Sequence, residues 1–256
     1  MNAVFLGTNG WFGTPTGDTI CTLLKTEDYD IVFDAGSGFF KIDKYINGKK
    51  PVYLFLSHYH FDHISGLHGL SKIHCNEGLF IVGQPDISNV MNVIANRPFT
   101  MSLDELSYKV KILELPNDKD KIPFEVKALP LLHSDTCFGY RITVEGLTIV
   151  YCIDTGYCDN AVELSMNADL LIAECSFLPG EEHKEWAHLN PETAGRIASE
   201  ANAKRLILTH FDASRYTDLK MRKNAEYASQ EIFSRVLVAA DLLDIEIWDI
   251  DAVGYF

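Results

Sequence analysis

Four side chains able to ligate a metal stand within six residues, in the order His58, His60, Asp62 and His63. Residues two apart in an extended chain point the same way, so His58 and His60 can converge on one ion while Tyr59 points elsewhere. Asp62 and His63 come after the chain begins to turn, which lets them face a second ion beside the first. Imidazole and carboxylate donors without a thiolate suit a borderline divalent cation, zinc first, with manganese or iron(II) also compatible. Such ions lower the pKa of water toward about 7 and so supply a nucleophile for hydrolysis at neutral pH. No serine or cysteine nucleophile is then required, and Ser57 and the cysteines lack a G-x-S-x-G or Cys–His context.

Two elements must position this cluster. The apolar run 52–56 reads as a buried strand that feeds into it, and 64–67 reads as the start of a helix. In that setting His58-x-His60-x-Asp62-His63 resembles the H-x-H-x-D-H signature of the metallo-β-lactamase superfamily. The resemblance implies an α/β fold, a four-layer αβ/βα sandwich, with a one- or two-metal site at the edge between its two sheets. The remaining ligands should then arrive singly, each at the end of a later strand.

The rest of the chain offers residues at those places. His133 follows a strand end and becomes the third ligand of the first metal, with His58 and His60. The run 147–153 ends at Asp154-Thr155, similar to the family's G-D-T with isoleucine in the glycine position, and Asp154 is implied to bridge both ions. His210 ends the strand 204–209 and completes the second set, with Asp62 and His63. Asp34-Ala35-Gly36 matches the family's D-x-G, which implies that Asp34 fixes the backbone near the metal loop.

Composition bounds the alternatives. The chain has 256 residues, 47% hydrophobic and 23% charged, as expected of a globular protein that buries its own core. A net charge of −14 argues against broad electrostatic binding to nucleic acid or an anionic membrane. The six cysteines form no C-x-x-C pair, and several lie in apolar runs, so they read as reduced core residues of a cytoplasmic protein. No signal peptide is visible, and no apolar run reaches about 18 residues. With no repeat, linker or low-complexity segment, residues 1–256 read as a single hydrolase domain, for which a homodimer is a compatible assembly.

The pass along the chain predicts strands over 3–6, 19–24, 31–33, 79–82, 109–115, 124–129, 138–144 and 169–173. Short helices are expected over 39–46, 64–70 and 86–96. Asn190 and Pro191 should open another, from the cap and first-turn preferences of those residues. Residues 221–243 read as one long amphipathic helix and 244–250 as a closing strand. His68, His74 and Cys75 read as structural, the last two in a strand-like stretch. The glycine-rich loop 7–17 lacks the spacing of a nucleotide cradle. Its Trp11 and Phe12 either cover a substrate or pack under the loop. The irregular stretch 96–104 reads as a loop that a lid or partner surface would also fit.

Three later segments resemble the ribonuclease Z-like phosphodiesterase branch of that superfamily. Glu174-Cys175-Ser176-Phe177 is similar to its H-E-A-T-F element, with Ala173 in place of the histidine. Ala187-His188-Leu189-Asn190 is similar to its G-H-S-T element, and Leu208-Thr209-His210-Phe211 with Arg215-Tyr216 to its L-T-H-F-S-x-R-Y. The resemblance implies a hydroxide shared between two cations as nucleophile. It makes His188 a proton donor or phosphate contact, oriented by Glu174, beside Asp62 as a ligand that also serves catalysis. Ribonuclease Z proper carries a long arm that grips tRNA between the positions of His133 and Asp154. Here only 20 residues lie between them, filled by two predicted strands. The expected substrate is therefore a small phosphodiester and not a long nucleic acid. A thioester or lactone hydrolase of the same fold, and a metal-bound sensor with little turnover, are the competing readings.

Overall fold

A computed structural model describes residues 1–183 and 185–247. Among these residues, strands form two large sheets. The first runs in spatial order Leu243–Glu246, Asn2–Gly7, Cys21–Lys25, Asp30–Phe33, Val52–Phe55, Leu79–Gly83 and Val110–Glu114. The second runs Val236–Val238, Leu206–Thr209, Leu170–Glu174, Leu147–Cys152, Phe138–Val144 and Glu125–Pro130. A short parallel pair, Asn9–Gly10 with Phe211–Asp212, joins the glycine-rich loop to the segment beyond His210.

The central strands are apolar on both faces, and their period of two sorts side chains between two cores. Ala3 and Phe5 face the space between the sheets, while Val4 and Leu6 face outward. Tyr53 and Phe55 likewise face in and Leu54 out. In the second sheet Ile149 and Tyr151 face in, and Val150 and Cys152 face out. Phe33 stacks on Tyr151 across the gap, ring centroids 4.6 Å apart. The helix Ile87–Ile94 and the 3-10 segments Ser37–Lys44 and Ser65–Lys72 bring Met91, Phe39 and Leu67 against the first sheet. Asp159–Ser165, Pro191–Glu200 and Leu219–Gln230 bring Leu164, Ile197 and Ala225 against the second. The result is the four-layer αβ/βα sandwich.

Parallel pairing sets where chemistry happens. Asp30–Phe33, Val52–Phe55 and Leu79–Gly83 run parallel in register, as do Leu147–Cys152, Leu170–Glu174 and Leu206–Thr209. Their carboxyl ends therefore emerge at one edge of each sheet, the usual place for a ligand in such folds.

Three expectations are corrected. Residues 221–243 are not one helix: Leu219–Gln230 ends the helix, and Val236–Val238 is a strand paired in parallel with Leu206–Leu208. The apolar spacing of Ile232, Val236 and Ala239 imitates a helix face, but the β-branched Val236 and Val238 gain ladder hydrogen bonds and burial beside the sheet. The closing strand is Leu243–Glu246, paired with Asn2–Phe5, and the rest of the expected 244–250 lies largely outside the described residues. His74 and Cys75 sit in a turn before Leu79–Gly83 and not in a strand. Stretch 96–104 forms turns closed by a Ser102–Glu105 capping box. All six cysteines are free, five of them buried. No helix of the described residues is long and apolar enough to cross a membrane.

Candidate metal centre

The loop after Val52–Phe55 is held from below by Asp34. The Ser57 N–H donates to Asp34 Oδ1 at 2.8 Å, and the Ser57 hydroxyl donates to the same carboxylate. The Tyr151 hydroxyl, from the other sheet, donates to Asp34 Oδ2 at 2.8 Å. His63 Nδ1 donates to Oδ2 at 2.9 Å, which turns Nε2 of that ring toward the opposite side. Asp34 thus fixes the loop backbone, as expected, and also one imidazole. Gly36 is needed because a Cβ there would lie 2.1 Å from the Asp62 carbonyl oxygen. Ser57, His63 and Asp34 are the residue types of a hydrolytic triad, but Ser57 is fully buried and its hydroxyl is committed to Asp34.

His60 is the residue before the short helix Phe61–Ile64, so Asp62 and His63 lie in its first turn. From the second sheet come Asp154 after Leu147–Cys152 and His210 after Leu206–Thr209. Asp34, Asp154 and His210 all have left-handed backbone, with φ of 56°, 54° and 51°. That conformation is costly for side chains other than glycine and persists where the surroundings impose it, commonly at functional sites.

Ligand atoms converge in three groups that share Asp154: two sets of four, and a smaller one of Asp154, Glu174 and His188. His58, His60, His133 and Asp154 bring donor atoms within 4.8 Å of one another, as do Asp62, His63, Asp154 and His210. Asp154 Oδ2 lies 3.2 Å from His58 Nε2 and 3.1 Å from His63 Nε2, and Oδ1 lies 3.2 Å from His210 Nδ1. The seven residues singled out in the sequence are the seven that meet here. His68 and His74 are exposed and outside both sets.

Electrostatics favour cation binding. Burial, helped by His63, pushes His58 down to about 4 and so leaves it neutral with a lone pair to offer. Burial lowers His133 as well. His63 and His210 are raised in spite of burial, by the carboxylates of Asp62, Asp34 and Asp154 around them. Asp154 is held well below the usual carboxylate range against its burial, through His210, His58 and His63. His58 Nε2, His133 Nδ1 and Asp154 Oδ1 are buried without a hydrogen-bond partner. Buried polar atoms are rarely left so. Five imidazoles and two carboxylates converging, three of their atoms left without a partner, fit divalent cations of the zinc or manganese type.

Residues 29–211 match the β-lactamase superfamily domain family. This chain belongs to the metallo-β-lactamase superfamily. It is 32% identical to the probable metallo-hydrolase YhfI of Bacillus subtilis over 82% of this chain and 87% of that one. The crystal structure of YhfI matches at a TM-score of 0.77, with 29% identity, covering 95% and 98% of the two chains. A ribonuclease Z of Methanosarcina acetivorans is 28% identical, covering 96% of this chain and 98% of that one. The short form of human tRNase Z shares the fold, with a TM-score of 0.74 at 24% identity, over 96% and 99% of the two chains.

Around these superfamily positions stands a further layer of contacts. His188 Nδ1 lies 3.0 Å from Glu174 Oε1 and 3.6 Å from Asp154 Oδ1. Glu174 is fully buried and also accepts from the Thr155 N–H, which ties the pair to the Asp154 turn. Burial opposes a charge on His188, but Glu174 and Asp154 outweigh it and raise the imidazole to about 9. Sequence reasoning missed three supports. The Trp11 N–H donates to Asp62 Oδ2 at 2.7 Å. Ser176 Oγ lies 3.3 Å from His210 Nδ1. Gly10 admits the His210 ring, since a Cβ there would sit 2.5 Å from it. The signal for Gly10 lay in the glycine-rich loop, but its partner is 200 residues away in sequence. Trp11 and Phe12 are both largely exposed, so packing under the loop is not their state.

Proposed function

We propose that this metal-dependent hydrolase is a dinuclear phosphodiesterase acting on small phosphodiesters. The observation that carries the reading is the Glu174–His188 pair, set beside Asp154 on the wall of the cavity over the ligand cluster. His58, His60, His133 and Asp154 would hold one ion, and Asp62, His63, Asp154 and His210 the other. Bound there, the ions would lower the pKa of water and polarise a phosphoryl oxygen.

The chain's own groups do the rest. Asp34 and Ser176 orient His63 and His210 from behind. Glu174 occupies His188 Nδ1, which leaves Nε2 to meet the substrate. Protonated, Nε2 can donate to the leaving oxygen or hold a non-bridging phosphate oxygen.

Small size of the substrate is supported by what fills the chain between His133 and Asp154. That interval is the hairpin Phe138–Val144 with Leu147–Cys152, built into the second sheet. The ribonuclease Z alignment runs over 313 positions, more than the 256 residues of this chain, so that relative carries segments this chain lacks, whereas the alignment with YhfI runs over 216. A net charge of −14 also disfavours a long polyanion.

The test is turnover of chromogenic phosphodiesters, thioesters and lactams by protein supplied with zinc or manganese. Hydrolysis concentrated on the diesters is expected. A preference for thioesters or lactams would overturn the reading, and no turnover of any class would point to a metal-bound binding protein.

A further inference from the structure

The cavity over the ligand cluster has a volume of about 510 Å³, within the range of pockets that hold small ligands. Five aromatic residues, Trp11, Trp186, Phe61, Tyr59 and Phe177, form most of the remaining wall, beside Gly10, Ser134, Ser176 and Asp212. Trp11 is 54% exposed, Trp186 40% and Phe61 83%. Rings that served only packing would be buried, since exposure forfeits most of the gain from removing apolar surface from water.

The backbone places Trp11 at this rim on purpose-built terms. Its φ is 75°, a conformation tryptophan rarely adopts, and its N–H is tied to Asp62. Trp186 meets it edge to face, centroids 5.4 Å apart and planes at 85°, and both indoles line the cavity while remaining partly exposed. The Trp186 ring is 6.0 Å from that of His188. The wall therefore spans from the Asp62 side of the cluster to the His188 side. Arg215 braces it, with its guanidinium 5.6 Å from the Trp186 ring and 5.2 Å from Phe177. That guanidinium is already paired with Glu181 and Asp212 and is not offered to a ligand.

Charge narrows the occupant further. The described residues lining the cavity include no lysine or arginine. Among the described residues, nothing beyond the ligand cluster and His188 would neutralise a second phosphate or a polyphosphate chain. A single diester phosphate at the cluster, with a flat ring against the wall, satisfies both the charge and the aromatic surface. Stacking on indole is tolerant of which base is present, because every base offers a π-face.

We propose that Trp11 and Trp186 form a stacking subsite for a nucleobase, so that the substrate class is a small monoanionic nucleotide diester such as a nucleoside cyclic phosphate. The substrate assignment rests on the phosphodiesterase reading; the ring subsite does not.

The experiment compares kcat/KM for a nucleoside cyclic phosphate and for the same ribose cyclic phosphate with a methoxy group in place of the base. The wild-type protein should favour the base-bearing diester about ten-fold or more, which at about 1.4 kcal/mol per ten-fold is the usual worth of one base on an aromatic side chain. Trp11→Ala and Trp186→Ala should each bring that ratio close to one, and Trp11→Phe should keep it. A ratio near one in the wild type, or equal losses on both diesters in the variants, would overturn the subsite. If neither diester is hydrolysed, the phosphodiesterase reading fails separately, and quenching of indole fluorescence by a nucleoside monophosphate decides the subsite. Quenching in the wild type that is lost in the Trp11→Ala, Trp186→Ala double variant supports it, and no quenching overturns it.

Discussion

Asp34 Oδ2 lies 2.9 Å from His63 Nδ1, and both side chains are fully buried. This carboxylate selects which nitrogen of His63 is free, and so aims Nε2 at Asp154 and His210. Groups in this position usually set metal affinity by 10- to 100-fold. Asp34→Asn keeps the shape and removes the charge, and should weaken zinc binding at the set containing His63 by about that factor in a competition titration against a chelator. Unchanged affinity in a folded variant would mean that the contact only supports the loop.

His188 is not needed to complete either ligand set. His188→Ala should therefore keep its metal while kcat falls by about 10²–10⁴, the usual loss when a positioned acid–base group is removed. The fall should be largest for esters with high-pKa leaving groups and small for p-nitrophenyl esters, whose leaving group departs unprotonated. A uniform loss across leaving groups would instead assign His188 to the phosphate oxygens, and lost metal would make it a ligand. A pH profile adds an independent check. With the imidazole raised to about 9, activity on a poor leaving group should persist to alkaline pH and fall as pH rises through that value. Glu174→Gln removes the charge that raises it, so the basic limb should move to lower pH; an unmoved limb would exclude His188 as its source.

Long RNA should be a poor substrate. With the His133–Asp154 interval folded into the sheet and a net charge of −14, binding should be weak at physiological salt. Side-by-side assays should show small diesters turned over faster than precursor tRNA. Efficient, site-specific cleavage of precursor tRNA would contradict this.

The metal cluster was legible because local chemistry encodes it: His58, His60, Asp62 and His63 are neighbours in sequence, on a strand and its following turn. His133, Asp154 and His210 were legible only through a family resemblance, since each is a lone residue at a strand end. The inner strands announced themselves as apolar runs buried on both faces. Helix and strand were confused at 232–239, where a three-residue strand is too short to show a period of two and its residues also satisfy a helical one. The supports from Trp11, Gly10 and Ser176 were illegible for another reason: they depend on contacts across 34 to 200 positions, made by a backbone N–H, a missing Cβ and one common hydroxyl, none of which marks its partner in the sequence.

The central claim is that Asp154 joins two ion sites in one chain. Elemental analysis of protein reconstituted with zinc and freed of excess measures it directly. Two ions per chain are expected in the wild type, and Asp154→Ala should lose occupancy at both sites, because the residue belongs to both ligand sets. A wild-type value of one or none, or a full pair retained by Asp154→Ala, would contradict the account.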